Sequence, residues 1–330
     1  MKLRVALLGA GNVTRAFLNY WRDRDFGIDL RIVSVARKRG IWHGDRTPVL
    51  DLDALDYEEG LDPFNDAQLV IEALPSVYPH GEPATSLLKT ALNLNIDVLT
   101  VDKGPLVADY RGLATAAARS GARLKFCVGG ALPAADIAMR DLRGTTIRRI
   151  RAILNGTSNF ILSEMHARGC SMEEALSIAI DRGIAEPDPS QDIDGIDTAA
   201  KMVILVNAAL DQDIRLDQVR IRGIRAVQLD DARKANAVWK LVGTYENGSI
   251  GVEPELVATD DVFSRIGGTE KIAEFDSVEM GKLAVVGGAS GRMQMGATMT
   301  KEILNLYKMA PPYNNSSPSG RGRREAPGEG

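Results

Sequence analysis

Apolar residues in the first 130 positions form short continuous runs, separated by longer stretches in which apolar residues recur at helical spacing. The runs predict buried strands and the stretches predict helices. The predicted strands are 3–8, 30–36, 68–74, 97–101 and 123–128, and the predicted helices are 15–21, 82–92 and 109–120. Segment 42–66 is polar and is expected to be irregular. The alternation predicts an α/β fold with a doubly wound, Rossmann-type parallel sheet.

The pattern changes after segment 129–133. A capping box of Ser171 and Glu174 predicts a helix that Gly183 ends, and Asn247-Gly248 predicts a hairpin. The other expected elements are helices at 134–142, 160–167, 197–210 and 297–309, a strand at 147–154, and hairpin strands at 237–246 and 249–257. We therefore expect a dinucleotide-binding domain at 1–133, completed by a C-terminal helix at about 292–309, an α+β domain with a mixed sheet at 134–291, and a disordered tail at 311–330.

The composition is that of a globular protein, with 45% hydrophobic and 25% charged residues in 330. A formal net charge of -4 provides no positive electrostatic potential that would attract nucleic acid, so no nucleic-acid partner is expected. Cys127 and Cys170 fit a reduced compartment and suggest no metal site. No apolar run resembles a signal peptide or could span a bilayer, so we expect a cytoplasmic protein without a membrane partner.

A strand-turn-helix at the start of the chain carries the first candidate site. Gly9 permits a tight turn, and Gly11 lets a pyrophosphate approach the backbone. The amides at the helix N-terminus, at Asn12 and Val13, would stabilise the negative charge of the pyrophosphate. Thr14 stands at the third glycine position, so the fingerprint is incomplete. The alternative is a plain strand-to-helix turn.

Cations follow two of the predicted strands. Arg37, Lys38 and Arg39 stand where an NAD site usually carries an acidic residue, and they suit a 2′-phosphate, with Arg37 the first choice. NADP(H) is therefore favoured, NAD(H) remains possible, and the alternative is a basic surface turn. Lys103 follows a later strand and is placed at the cofactor edge of the sheet.

An acidic loop leads into the buried helix that begins near Asp197. Asp197 and Lys201 are four residues apart and share one helix face. A lysine at the mouth of a buried helix, beside a carboxylate, is typical of proton transfer. The alternative is a solvated loop with a structural ion pair. The loop carries Glu186, Asp188, Asp192 and Asp194.

A polar turn at 155–159 opens another predicted helix, whose amides could bind a carboxylate. The alternative is ordinary N-capping by Thr157 or Ser158.

Together these segments resemble homoserine dehydrogenase over nearly the whole chain. The matching motifs are GAGNV at 9–13, TVDKGP at 100–105, VGGALP at 128–133, LNGTSNFIL at 154–162, and EPDP at 186–189 with Asp192, Asp197 and Lys201.

The resemblance implies NAD(P)-dependent hydride transfer between L-homoserine and L-aspartate 4-semialdehyde, in threonine and methionine biosynthesis. It implies that Lys201 and Lys103 act in proton transfer and that Asp197 orients Lys201. By the same resemblance, Glu186 and Asp192 hold the substrate ammonium, and the turn Asn155, Gly156 and Thr157 lies near the other end of the substrate. It also implies a homodimer formed by the second domain, and no appended regulatory domain is expected.

Three residues depart from the family pattern: Thr14, Asp102 in place of Asn, and Lys125 where many members have a Glu near a monovalent cation. Lys125 is expected to replace that cation, so no metal site is predicted. Two alternatives stay open. One is a nucleotide-binding homologue without turnover, and the other is a dehydrogenase of a related amino-acid semialdehyde.

Overall fold

The computed structural model describes residues 1–127 and 131–308, which contain two six-stranded sheets. The first sheet has the strand order β3-β2-β1-β4-β5-β6, and every pair is parallel except β2 with β3. Its strands are β1 Lys2–Leu8, β2 Asp29–Arg37, β3 Gly40–Arg46, β4 Leu69–Glu72, β5 Asp97–Thr100 and β6 Leu124–Phe126. This order is that of a doubly wound nucleotide-binding sheet with an added edge strand, which confirms the predicted fold class.

The second sheet has the order β12-β11-β7-β9-β10-β8 and is antiparallel except between β8 and β10. Its strands are β7 Ile147–Ile153, β8 Arg220–Ile221, β9 Ala237–Glu246, β10 Ser249–Ala258, β11 Lys271–Ser277 and β12 Gly281–Gly287. The hairpin β9-β10 turns at Asn247 and Gly248, both with positive φ, as the Asn-Gly signal predicts.

Helices cover the sheets. They are α1 Asn12–Arg22, α2 Ala84–Asn93, α3 Gly104–Ser120, α4 Ala134–Asp136, α5 Gly156–Arg168, α6 Met172–Asp181, α7 Ser190–Ile193, α8 Ile196–Leu210, α9 Leu229–Ala235 and α10 Arg292–Tyr307. The predicted capping box of Ser171 and Glu174 is present at the start of α6.

The expectation that 42–66 is irregular is wrong for its first part. β3 pairs with β2 through a tight turn in which Gly40 has a φ of +130°. On its outer side, within the described residues, only Ile41 is paired, through an isolated bridge to Glu58. The strand is half-buried at Gly40–His43 and exposed at Gly44–Arg46, so its polar side chains leave no alternating pattern.

Several helices begin earlier than predicted, among them α1 at Asn12 and α10 at Arg292, and three other predictions need correction. α3 begins at Gly104, because Pro105 lies in the first turn, where a missing amide hydrogen costs nothing. Asp109, the predicted start, has non-helical angles and marks a kink inside the helix. α5 begins at Gly156 rather than at 160. The predicted helix 134–142 is a three-residue α-helix followed by a π-turn over Ile137–Asp141.

α10 packs against α1 and completes the core beneath the first sheet. Met299 and Ile303 of α10 are fully buried and join Phe17 and Trp21 of α1 in one apolar cluster. The helices approach closely, since a Cβ at Gly296 would lie 2.8 Å from the Tyr20 Cβ.

No helix among residues 1–127 and 131–308 has the length and apolar character needed to cross a bilayer. The predicted strand end at 128, part of the motif 128–133 and the predicted tail 311–330 lie outside the described residues.

Candidate active site

The glycine turn after β1 is closed by direct backbone contact. Gly9 has a φ of +94°, and a Cβ there would lie 2.6 Å from the carbonyl oxygen of Ala73. The Thr14 side chain is buried, and its hydroxyl donates to the Gly9 carbonyl at 2.9 Å. Thr14, which departs from the glycine fingerprint, therefore faces inward and braces the turn.

The N-terminus of α1 is open where a dinucleotide pyrophosphate would approach. Gly11 is exposed, and a Cβ built on it would meet no described atom within 4 Å. Asn12 is the first helical residue, and Val13 is half-buried against the core of the first sheet. Within the described residues no side chain caps this helix at Gly11, so its first amides are available to an anion.

The side chains of the basic segment 37–39 differ in their exposure and in their partners. Arg37 is half-buried, and its Nη1 lies 2.8 Å from Asp53 Oδ1. Arg39 donates to the carbonyl oxygen of Asp53 at 3.1 Å and stacks 4.3 Å above the Tyr57 ring. Lys38 is exposed. The three cations therefore do not point at one ligand, and Arg37 and Arg39 share one loop partner.

Two lysines from the two halves of the chain meet at Asp197. Lys201 Nζ lies 2.5 Å from Asp197 Oδ2 and donates to the Leu154 carbonyl at 2.9 Å. Lys103, directly before α3, places its Nζ 3.6 Å from Asp197 Oδ1. The strand-end lysine and the helix lysine, predicted separately from the sequence, are thus brought to one carboxylate.

Burial opposes ionisation of Asp197, but Lys201 and Lys103 outweigh it and lower the pKa of Asp197 to about 2. The carboxylate is charged throughout the neutral range and holds both ammonium groups at the same edge of the first sheet. A fixed anion between two cations can orient proton donors without itself taking a proton.

Asn155 links this cluster to the acidic loop. Its amide nitrogen donates to Asp192 Oδ1 at 2.5 Å and to Asp197 Oδ2 at 2.8 Å. Its oxygen accepts from the Ser158 amide at 2.8 Å and caps α5. The cap is therefore Asn155, and the alternative of N-capping by Thr157 or Ser158 is wrong in its residue. Burial and Asp197 raise the pKa of Asp192.

The remaining predicted substrate residues differ in their surroundings. Gly156 lies directly under Thr269, whose carbonyl oxygen would be 3.0 Å from an added Cβ. The Thr157 hydroxyl donates to the Ile184 carbonyl at 3.3 Å. Glu186 is exposed on the loop before α7. The backbone of Gly156 thus packs against the turn before β11, whereas Glu186 is exposed to solvent.

Lys271 is a buried lysine near Lys201 that the sequence did not indicate. It is the first residue of β11, and the next residue, Ile272, pairs with Ile153 of β7, which precedes Leu154, the acceptor for Lys201. Only 2% exposed, its ammonium donates to two oxygens of turn 288–290, both at 2.7 Å. Burial and nearby Lys201 lower the pKa of Lys271 to about 8. Its place depends on the register of β11, which no local sequence pattern gives.

Two buried carboxyl groups lie behind Lys103. Glu72, at the end of β4, accepts from the Thr100 hydroxyl at 2.5 Å, and Asp102 accepts from the Gly104 amide at 2.7 Å. Burial and Asp102 raise the pKa of Glu72 to about 8, and burial also raises the pKa of Asp102. Asp102 Oδ1 is thus bound by the first residue of α3, whereas its buried Oδ2 has no hydrogen-bond partner within the described residues.

Lys125 forms an ion pair with Glu302 of α10 at 3.6 Å, and Glu302 also pairs with Lys301 at 2.7 Å. Glu302 is 2% exposed. Residues 128–130, which follow Lys125 closely in the sequence, lie outside the described residues.

Comparisons with known proteins agree with this arrangement. A family model described as homoserine dehydrogenase matches residues 133–304, more than half of the chain. The homoserine dehydrogenase of Methanocaldococcus jannaschii is 36% identical over 247 residues, covering 73% of each chain. The NAD(+)-dependent homoserine dehydrogenase of Pseudomonas canavaninivorans is 31% identical over 343 residues, covering 93% of this chain and 97% of the relative.

A solved structure, a hyperthermophilic archaeal homoserine dehydrogenase in complex with NADPH, superposes with a TM-score of 0.79 at 26% identity. The match covers 94% of this chain and 99% of that one. The resemblance seen in the sequence is thus confirmed over both sheets. The chain belongs to the homoserine dehydrogenase family of NAD(P)-dependent oxidoreductases that act on CH-OH groups.

Proposed function

We propose that this protein catalyses the reversible NAD(P)-dependent interconversion of L-homoserine and L-aspartate 4-semialdehyde at the cluster around Asp197. The observation that carries the proposal is the convergence of Lys201 and Lys103 on that one buried carboxylate. The comparisons favour this enzyme over a nucleotide-binding homologue without turnover.

The residues of the glycine turn fit a dinucleotide. We assign pyrophosphate binding to Gly9, Gly11, Asn12 and Val13, supported by the open space at Gly11 and the uncapped α1 N-terminus within the described residues. When bound, the nicotinamide ring accepts or supplies the hydride. Lys103 follows β5 at the same sheet edge and is assigned to both cofactor contact and catalysis.

Lys201 and Lys103 are proposed to flank the reacting oxygen of the substrate. As the C4 hydroxyl is oxidised it loses a proton, and a lysine within hydrogen-bonding reach takes it directly or through water. In the reverse direction the lysine returns the proton to the forming alkoxide, whose negative charge both ammonium groups stabilise. Asp197 orients Lys201 and remains ionised because its pKa is about 2.

Recognition of the amino acid is proposed to use opposite charges at its two polar groups. Asp192 and Glu186 hold the ammonium, and the backbone of Gly156 and Thr157 at the start of α5 receives the carboxylate. Asn155 positions Asp192 against Asp197 through its two amide hydrogen bonds.

The proposed cofactor preference is for NADP(H). Arg37 and Lys38 follow β2, the strand whose end contacts the adenosine ribose in this fold, and their charge suits a 2′-phosphate. NAD(H) is also accommodated in the proposal, since Arg37 already has Asp53 as a partner.

We further propose a homodimer built by the 134–291 domain, with residues 1–133 and α10 forming the dinucleotide-binding domain, and a cytoplasmic location. The edge strand β12 supports the dimer, because Leu283 and Val286 are 40% and 49% exposed there. Lys125 is proposed to replace a monovalent cation, so kcat should not respond to sodium at constant ionic strength.

Initial rates with L-homoserine and each cofactor test the proposal. Activity should fall at least about a hundredfold in Lys201→Ala, whereas the buried Lys240, which bonds Asn159 away from the cluster, provides a matched control in Lys240→Met. Equal rates for the native protein and Lys201→Ala would refute the assignment. Screening related amino-acid semialdehydes tests the substrate.

A further inference from the structure

Three guanidinium groups from two segments of the chain meet at one residue, Asp53. Arg15 of α1 places Nη2 2.7 Å from Asp53 Oδ2, and Arg37 at the end of β2 places Nη1 2.8 Å from Oδ1. Arg39, in the turn before β3, donates to the Asp53 carbonyl at 3.1 Å. Each carboxylate oxygen therefore has its own arginine.

The loop that carries Asp53 is held in place by other contacts. Arg37 also donates to the carbonyl of Leu52 at 3.2 Å, and the Tyr57 hydroxyl donates to the same carbonyl at 2.7 Å. Leu52 is 1% exposed and belongs to the core of the first sheet. The position of Asp53 beside the end of β2 is thus set by buried packing as well as by the ion pairs.

At this location the Asp53 carboxylate can influence which cofactor binds. In dinucleotide-binding folds an acidic residue near the end of the second strand accepts hydrogen bonds from the ribose hydroxyls of NAD, whereas an arginine nearby accommodates the 2′-phosphate of NADP. Here the strand end supplies the arginine and the loop supplies the acid. Both kinds of group are present, and they are paired with each other.

The pairing has opposite effects on the two cofactors. A guanidinium bonded to a carboxylate has fewer free N–H groups for a phosphate, and the 2′-phosphate would approach a fixed negative charge. The hydrogen bond from Arg37 holds the pKa of Asp53 below its usual value, so the repelling charge is present at neutral pH. An unphosphorylated ribose meets no such repulsion and finds an acceptor.

We propose that Asp53 is a specificity-determining residue that narrows the proposed preference for NADP(H) over NAD(H), by occupying Arg15 and Arg37 and repelling the 2′-phosphate. The inference rests on the proposed dinucleotide site at the β1-α1 turn. Without the Asp53 charge, both guanidinium groups become free to bind the phosphate in its place.

Equilibrium binding of NADPH and NADH to Asp53→Asn provides the test, with 2′,5′-ADP and 5′-AMP as probes of the adenosine end alone. Asparagine keeps the shape of the side chain and removes its charge. NADPH and 2′,5′-ADP should bind about tenfold more tightly, NADH and 5′-AMP equally or more weakly, and the ratio of kcat/KM values for NADP to NAD should rise in parallel.

Asp45→Asn is the matched control, because Asp45 is also exposed and also pairs with two cations, Arg31 at 2.5 Å and Lys2 at 2.9 Å. Asp45→Asn should leave both cofactors unchanged. An unaltered NADPH to NADH ratio in Asp53→Asn, weaker NADPH binding, or an equal shift in the control would each overturn the role of Asp53. Failure of the native protein to bind either cofactor would instead refute the dinucleotide site itself.

Discussion

Asp197 and Lys201 lie one turn apart in α8, and their side chains meet at 2.5 Å with only 12% and 14% of each exposed. An i,i+4 pair on an exposed helix adds a few tenths of a kcal/mol, but this one is shielded from solvent and shared with Lys103. The pair thus contributes both to the stability of the helix and to the proposed proton transfer, and substitutions can separate the two.

Lys201→Arg should keep the cation near Asp197 and lose the reaction. A guanidinium stays protonated at all accessible pH values, so it can pair with the carboxylate but cannot accept a proton. We expect kcat to fall roughly 10²- to 10⁴-fold while the free energy of unfolding changes little. If arginine supports turnover within tenfold of lysine, the role of Lys201 is electrostatic only.

Asp197→Asn should change the acid sensitivity of folding. A folded pKa of about 2, below the ordinary 3.8, means that ionised Asp197 stabilises the native state above about pH 4 and loses that contribution as pH falls towards 2. The shift corresponds to about 2 kcal/mol. Urea unfolding at pH 7, 5, 4 and 3 should show the native protein losing its advantage over the variant below pH 4. A constant difference across this range would contradict the assigned pKa.

The two glycines of the β1-α1 turn should respond differently to alanine. Gly9→Ala places a Cβ 2.6 Å from the Ala73 carbonyl at positive φ, so we expect a clear loss of stability. Gly11→Ala meets no described atom, so its Tm should hold while the KM for the cofactor rises at least about tenfold. Thermal unfolding and cofactor titration distinguish these outcomes. Normal cofactor binding by Gly11→Ala would show that the pyrophosphate does not bind at this turn.

Asn155→Ala should affect both stability and substrate binding. It removes the cap of α5, worth about 1 kcal/mol, and also leaves Asp192 facing Asp197 without the bridging amide. Ser171→Ala is the matched control, because it removes the cap of α6 only. Both variants lose a helix cap, but Asn155→Ala should lose more stability because its buried amide also bridges two carboxylates, and only Asn155→Ala should raise the KM for homoserine. Equal KM values in the two variants would show that Asn155 acts only as a helix cap and not in substrate binding.

The elements that the sequence predicted well are those fixed by local chemistry. The Gly9 turn, the capping box at Ser171 and the Asn247-Gly248 hairpin each depend on a few adjacent residues with distinct backbone preferences. Lys103 and Lys201, the lysines of the proposed mechanism, could be placed for the same reason, since strand ends and helix starts can be located from periodicity alone.

The features that escaped prediction depend on distant pairing. β3 is a polar edge strand, and Lys271 reaches the Asp197 region only through the register of β11 against β7. The Asp53 contacts likewise join segments 38 and 16 positions apart along the chain. Such relationships are set by tertiary packing, for which a single sequence carries no periodic signal.

The packing of α10 against α1 has a consequence for synthesis of the protein. Phe17 and Trp21 emerge from the ribosome about 280 residues before Met299 and Ile303, which pack against them. The face of α1 that packs against α10 therefore stays uncovered while the second sheet is synthesised. Cofactor affinity should consequently arise late, only once the helix after β12 has docked, and shortened chains ending before Arg292 should be substrates for chaperones rather than for hydride transfer.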